Sequence, residues 1–64
     1  MNVIGMKVSY SYLRHDGYTD EYIGIITKRM GDLTAVEWND ETVKRYHTCK
    51  NVICDTDSLR LLFD

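Results

Sequence analysis

The 64-residue chain has no proline, and only four glycines and two cysteines. Without proline, a polyproline ligand motif is excluded. Cys49 and Cys54 allow one bridge at most, which is not a disulfide framework. No apolar run approaches the roughly 20 residues that a membrane helix needs. The opening Met1-Asn2-Val3-Ile4-Gly5-Met6-Lys7 lacks the basic start and long apolar stretch of a signal peptide. These absences predict a soluble, cytoplasmic domain with no membrane partner. A basic excess is also missing: eight Lys and Arg stand against ten Asp and Glu, for a net charge of -2. Nonspecific nucleic-acid binding rests on a positive field, so only a local basic patch is left to support it. The length fits one small domain spanning residues 1–64 and excludes barrels and dinucleotide-binding sheets of the large catalytic type.

What is present is a period of two. Met6-Lys7-Val8-Ser9-Tyr10-Ser11-Tyr12 alternates, which puts Met6, Val8, Tyr10 and Tyr12 on one strand face. A polar loop with an Asp16-Gly17 turn follows. A second strand is predicted over Glu21 to Arg29 and a third over Leu33 to Trp38. Asn39-Asp40 reads as a two-residue hairpin turn into a fourth strand, Glu41 to His47. The stretch from Thr48 to Asp57 is irregular, with room for one helical turn, and Leu59 to Leu62 forms a fifth strand.

Registers follow from the turns. A two-residue turn at Asn39-Asp40 pairs Trp38 with Glu41, Val36 with Val43 and Thr34 with Arg45. The preceding turn has two solutions. A Gly31-Asp32 turn sets Val36 against Thr27 and Trp38 against Ile25. A three-residue Met30-Gly31-Asp32 turn sets Val36 against Ile26 and Trp38 against Gly24. The second is preferred, because a glycine beneath tryptophan relieves crowding. The expected core is Val8, Ile26, Val36, Trp38, Val43, Leu59 and Leu61. Five short antiparallel strands in so short a chain point to an all-β, partly open SH3-like barrel, with at most one short helical turn.

Four stretches carry a resemblance. Gly5-Met6-Lys7-Val8 looks like the opening Gly-x-Lys/Arg-Val of small SH3-like barrels. Gly24-Ile25-Ile26 resembles their Gly-x-Val second strand. Val36-Glu37-Trp38-Asn39-Asp40 resembles a Val-x-Trp-Asp hairpin, with Tyr46 eight residues after the tryptophan, and Leu59-Arg60-Leu61 resembles the closing strand. The set is similar to Mind-bomb-type (Mib/Herc) domains and more loosely to Tudor and KOW domains. The Arg-Gly-x-Asp-Trp after the first strand of that family is replaced by Tyr10-Ser11-Tyr12-Leu13. The compact chain also resembles a small phage or bacterial accessory protein. Such barrels host peptide, methylated-residue and RNA binding alike, so the resemblance speaks to architecture more than to activity.

The chemistry is sparse. His47, Cys49 and Cys54 offer soft ligands with His15 as a distant fourth, but zinc needs a tetrahedral set and no Cys-x₂-Cys knuckle is present. No metal or other cofactor is expected. Nothing in the chain promises a sheltered cleft for a nucleophile and its base, so it is not read as an enzyme. Tyr10, Tyr12, Tyr18 and Tyr22 gather around the first loop with Asp16, Asp20 and Glu21 between them. Tyrosines make good interface anchors, and acidic neighbours favour a basic partner. The expectation is therefore a noncatalytic protein-binding module, an adaptor or a small regulatory or inhibitory accessory protein. Its partner-binding residues are Tyr10, Tyr12, Tyr18, Asp20, Glu21 and Tyr22, and its partner is a protein with a basic segment. The alternative is a KOW-like binder of nucleic acid or of the transcription and translation machinery, using Lys28, Arg29, Lys44, Arg45 and Lys50 as a phosphate-contacting strand face.

Overall fold

The alternating first segment does form a strand. A computed structural model, which describes residues 3–62, runs β1 over Lys7–Leu13. The chain continues with β2 (Thr19–Met30), β3 (Leu33–Trp38), helix α1 (Asp40–Tyr46), β4 (Asn51–Asp55), a 3₁₀ turn (Thr56–Ser58) and β5 (Arg60–Leu61). The five strands make one antiparallel sheet in the order β4-β3-β2-β1-β5. This is the expected β-rich architecture with five antiparallel strands. The sheet is open, with β4 and β5 as its edges.

The preferred register of β2 against β3 holds where it matters. Val36 lies opposite Ile26 and Trp38 opposite Gly24. The route to it differs from the expectation. The turn is the two-residue one, since Met30 pairs with Leu33, Arg29 with Thr34 and Lys28 with Ala35. Gly31 alone of its two central residues has positive φ, at 67°, as in hairpin turns that place glycine first. Thr27 then bulges out of the ladder and shifts the register by one residue. Its hydroxyl donates to the Ala35 carbonyl at 3.2 Å.

The predicted Asn39-Asp40 hairpin is not formed, and this is the main correction. Residues 40–46 are helical, and β3 pairs instead with β4, so that Val36 faces Val52 and Thr34 faces Cys54. The physical reason lies in the same residues. Asn39 is the helix N-cap, and its side chain accepts from the Thr42 N–H at 2.8 Å. Asp40 and Glu41 fill the first turn and Lys44 and Arg45 the last, which suits the helix dipole at both ends. At seven residues, α1 is about two turns by the 3.6-residue pitch, more than the single turn expected. The 3₁₀ turn overlaps only the end of the Thr48 to Asp57 stretch expected to hold that single turn, and most of the stretch is β4 instead.

Helix α1 has a structural task. β2 outlasts β3 at its N-terminal half, which would leave an unpaired sheet edge. The helix covers it. The Glu21 N–H donates to the Tyr46 hydroxyl at 3.1 Å, and the Ile23 N–H donates to Thr42 Oγ1 at 3.1 Å. The Asn39 N–H donates to the Ile23 carbonyl at 2.8 Å. Covering an edge with a helix is one of the ordinary ways to blunt it.

The core is Val3, Val8, Ile26, Val36 and Trp38, all buried, with Val43 and Leu59 partly buried against them. Leu61 was expected in the core but is 37% exposed. β5 is only two residues long and sits on the sheet edge beside Val8 and Ser9, so Leu61 has neighbours on one side only. Among the described residues no helix is long and apolar enough to cross a membrane.

Candidate functional site

Strand alternation sorts the residues of interest onto two faces. On the inward face Val8, Gly24 and Trp38 lie in one cross-strand row, Tyr10 and Tyr22 in the next, and Tyr12 and Asp20 in the third. Val52 and Cys54 join that face from β4, opposite Val36 and Thr34. The rings form a continuous set. Tyr22 stacks on Tyr46 with centroids 4.5 Å apart, and meets Trp38 at 5.4 Å and Tyr10 at 5.9 Å in tilted contacts. Such offset and tilted arrangements suit the ring quadrupoles.

Together Tyr10, Tyr12, Tyr22, Trp38, Thr48, Val52 and Cys54 line a groove of about 230 Å³. Trp38 is buried and forms its floor, whereas Tyr12 is 45% exposed at its rim. Small-molecule sites run to roughly 300–1,000 Å³, so this groove is scaled to one or two side chains of a partner. Burial, reinforced by the charge of Asp20, pushes the Tyr22 phenol above its ordinary value of 10.0. Burial also raises the Cys54 thiol, with Asp55 adding to it. Tyr22 and Cys54 therefore present neutral groups to the groove at neutral pH.

The first loop brings its residues together differently. Arg14 reaches across the hairpin, 3.4 Å from Asp16 and 3.5 Å from Asp20. Its guanidinium also lies 5.5 Å from the Tyr18 ring centroid, a cation–π distance. Tyr18 is 68% exposed, but the chain's own arginine already covers one face of its ring. The Tyr18 N–H donates to Asp16 Oδ1 at 3.1 Å, which closes the turn at Gly17. Glu21 pairs with Ser11 and so belongs to the opposite face from Tyr10, Tyr12 and Tyr22. Of the six partner-binding residues expected, the fold joins Tyr10, Tyr12, Asp20 and Tyr22, sets Tyr18 beyond them, and turns Glu21 away.

The basic residues do not gather on one strand face. Lys28 and Arg29 sit on β2, where alternation points them to opposite sides, and Arg29 lines a cavity of about 150 Å³ with Val8, Ile26 and Leu61. Lys44 and Arg45 are on α1, not on a strand. That helix bonds β2 at Glu21 and Ile23, and Lys28 lies five residues further, roughly 17 Å along an extended chain. Arg45 is 3.5 Å from Glu41, while Lys50 is 3.2 Å from Asp40 and 3.9 Å from Glu37. The Asp40 hydrogen bond, with the Asp40 and Glu37 charges, raises the Lys50 pKa.

Three groove residues, Val52, Cys54 and Thr48, escaped sequence reasoning because β4 lay in a stretch read as irregular. The alternation in Asn51-Val52-Ile53-Cys54-Asp55 was the available signal. Cys49 is exposed and Cys54 half-buried, and both are free. Among the described residues no group of three or more His, Cys, Asp or Glu is placed to hold a metal ion. Comparison with protein-family models, curated proteins and solved structures finds no match for the chain.

Proposed function

We propose that the chain is a noncatalytic protein-binding module that takes a Lys- or Arg-bearing segment into the groove between Tyr12, Tyr22 and Trp38. The observation that carries this reading is the groove itself: four aromatic side chains on one face, with Asp20 across from Tyr12. Aromatic faces accept the aliphatic stem and the charge of a basic side chain, and the carboxylate steers it. The sheet order supports keeping the SH3-like resemblance within this proposal, since it sets the first strand beside both the second and the last. An adaptor or a small regulatory or inhibitory accessory protein of the cytoplasm fits such a module.

The test uses short peptides alternating Lys or Arg with apolar residues, followed by Trp38 fluorescence, with Glu-for-Lys peptides as controls. Binding of the basic peptides only is expected. Tyr12→Ala should weaken it by about 1–2 kcal/mol, on the order of 5- to 30-fold in affinity. Indifference to both peptide charge and Tyr12 would sink the reading. A parallel titration with RNA and DNA checks the rival: affinity that falls steeply with salt and is lost in Lys28→Ala and Lys44→Ala would replace the groove by the basic residues.

A further inference from the structure

The outer edge of β4 is open. The Trp38 N–H donates to the Lys50 carbonyl at 2.8 Å, and the Thr56 N–H donates to the Asp32 carbonyl at 2.8 Å. The main chain at even-numbered positions from Lys50 to Thr56 thus turns toward β3 and its turn. By alternation the N–H and C=O groups of Asn51, Ile53 and Asp55 face outward. Among the described residues no strand pairs there. The edge strand itself, Asn51-Val52-Ile53-Cys54-Asp55, carries no Lys, Arg or proline to blunt it, and its one charge, Asp55, stands at its end. Ile53 at its centre is 62% exposed, and Leu33 (44%) and Met30 (39%) are exposed in the same part of the sheet. The other edge differs, because β5 offers only two residues.

We propose that β4 pairs antiparallel with β4 of a second copy of this chain, about a two-fold axis at Ile53, to make one continuous ten-stranded sheet. The strand is complementary to itself in that register. Ile53 meets Ile53 of the partner subunit as a hydrogen-bonded pair, and the outward groups of Asn51 and Asp55 face each other likewise. On the outer face an amide then lies opposite a carboxylate. On the inner face Val52 lies opposite the half-buried Cys54. A two-fold centred on Asp55 would set two carboxylates against each other, and one centred on Cys54 would set Ile53 against a carboxylate; both are disfavoured. The closed, isologous contact also buries both exposed isoleucines and does not propagate into a fibre through β4.

The test is molar mass by light scattering or sedimentation from micromolar to millimolar chain. The wild type should rise from 7.5 kDa toward twice that value. Ile53→Lys and Ile53→Pro should stay at the single-chain mass with unchanged circular dichroism. Proline is tolerated on an edge where the N–H has no partner within the chain, and the lysine variant keeps the test decisive if the proline variant does not fold. In a Cys49→Ser, Cys54→Ala background, Ile53→Cys should form an intermolecular disulfide on mild oxidation. A hydrogen-bonded antiparallel pair has Cα atoms about 5.5 Å apart, within the range a disulfide spans. A single-chain mass throughout overturns the proposal. A dimer that survives Ile53→Lys and fails to cross-link at position 53 overturns it too.

Discussion

Gly24 shows how much one missing side chain decides. A Cβ there would lie 2.5 Å from the Glu37 carbonyl oxygen, 2.9 Å from Trp38 Cε3 and 2.9 Å from Val36 Cγ1. Two of those neighbours belong to the buried core, so neither has room to move. Gly24→Ala should therefore destabilise by about 1–3 kcal/mol through overpacking, read from denaturant midpoints at unchanged m-value. Reduced burial of Trp38 should accompany it as a fluorescence red shift. This contact was legible in the sequence, because only glycine lets the largest side chain cross the strand at that row. Tyr22 is the other decisive residue. Folding raises its pKa by burial first and the Asp20 charge second, so the folded state favours the neutral phenol. For a raised pKa the contribution to stability is intact below the unfolded value and is lost as pH climbs through the folded one. Stability should thus fall above about pH 10, and Tyr22→Phe should flatten that fall. An alkaline absorbance titration should lose one phenol that ionises above its ordinary value in the same variant.

At the scale of elements, α1 is where sequence and structure part. Asn-Asp is a good hairpin turn and an equally good helix start, because both uses exploit a short side chain that bonds nearby main chain. The order of charges after Asn39, acidic then basic, separates the two readings, and Glu41 to His47 shows no strict alternation to favour a strand. The Thr27 bulge was not legible, since each turn type by itself fixes one register, and nothing in the residues marks the extra one in β2 that lets the two-residue turn lead to the Val36–Ile26 pairing. The groove was legible by half: its tyrosines alternate in plain view, but its β4 wall depended on the misread segment. Helix α1 earns its place through Thr42, which is 5% exposed and accepts from the Ile23 N–H. Thr42→Val keeps the shape and orphans that donor, so a loss of about 1–3 kcal/mol is expected, with faster hydrogen exchange at the Ile23 amide. Thr42→Ser should recover most of it. At the other end His47 adopts φ 53° and ψ 41°, a left-handed cap for which glycine is the usual residue. His47→Gly should raise the thermal midpoint, with a net gain of about 0.5–1 kcal/mol after the glycine's own entropic cost.

At the scale of the whole molecule the question is how a chain of net charge -2 presents its acidic groups. Lys50 is tied to Asp40 and Glu37, and Arg45 to Glu41, so the helix end of the molecule is locally balanced. At the loop end one cation, Arg14, serves both Asp16 and Asp20 and covers a face of Tyr18. An incoming Lys or Arg that seeks Asp20 must compete with Arg14 for it. Arg14 is 45% exposed in its side chain, so these ion pairs add little to stability and screening weakens them further. Arg14→Gln should hence leave the unfolding midpoint nearly unchanged. It makes the net charge one unit more negative and frees both Asp20 and the Tyr18 ring. If the groove takes basic segments, the variant should bind the Lys- and Arg-bearing peptides more tightly, by up to about fivefold at low salt, and the gain should fade as salt rises. A partner that is itself acidic predicts the opposite sign, because Arg14 would then be one of its contacts. Titrating wild type and variant with both peptide series at two salt concentrations distinguishes the cases: weaker binding of basic peptides by Arg14→Gln would remove Asp20 from the site and leave the aromatic wall to act without it.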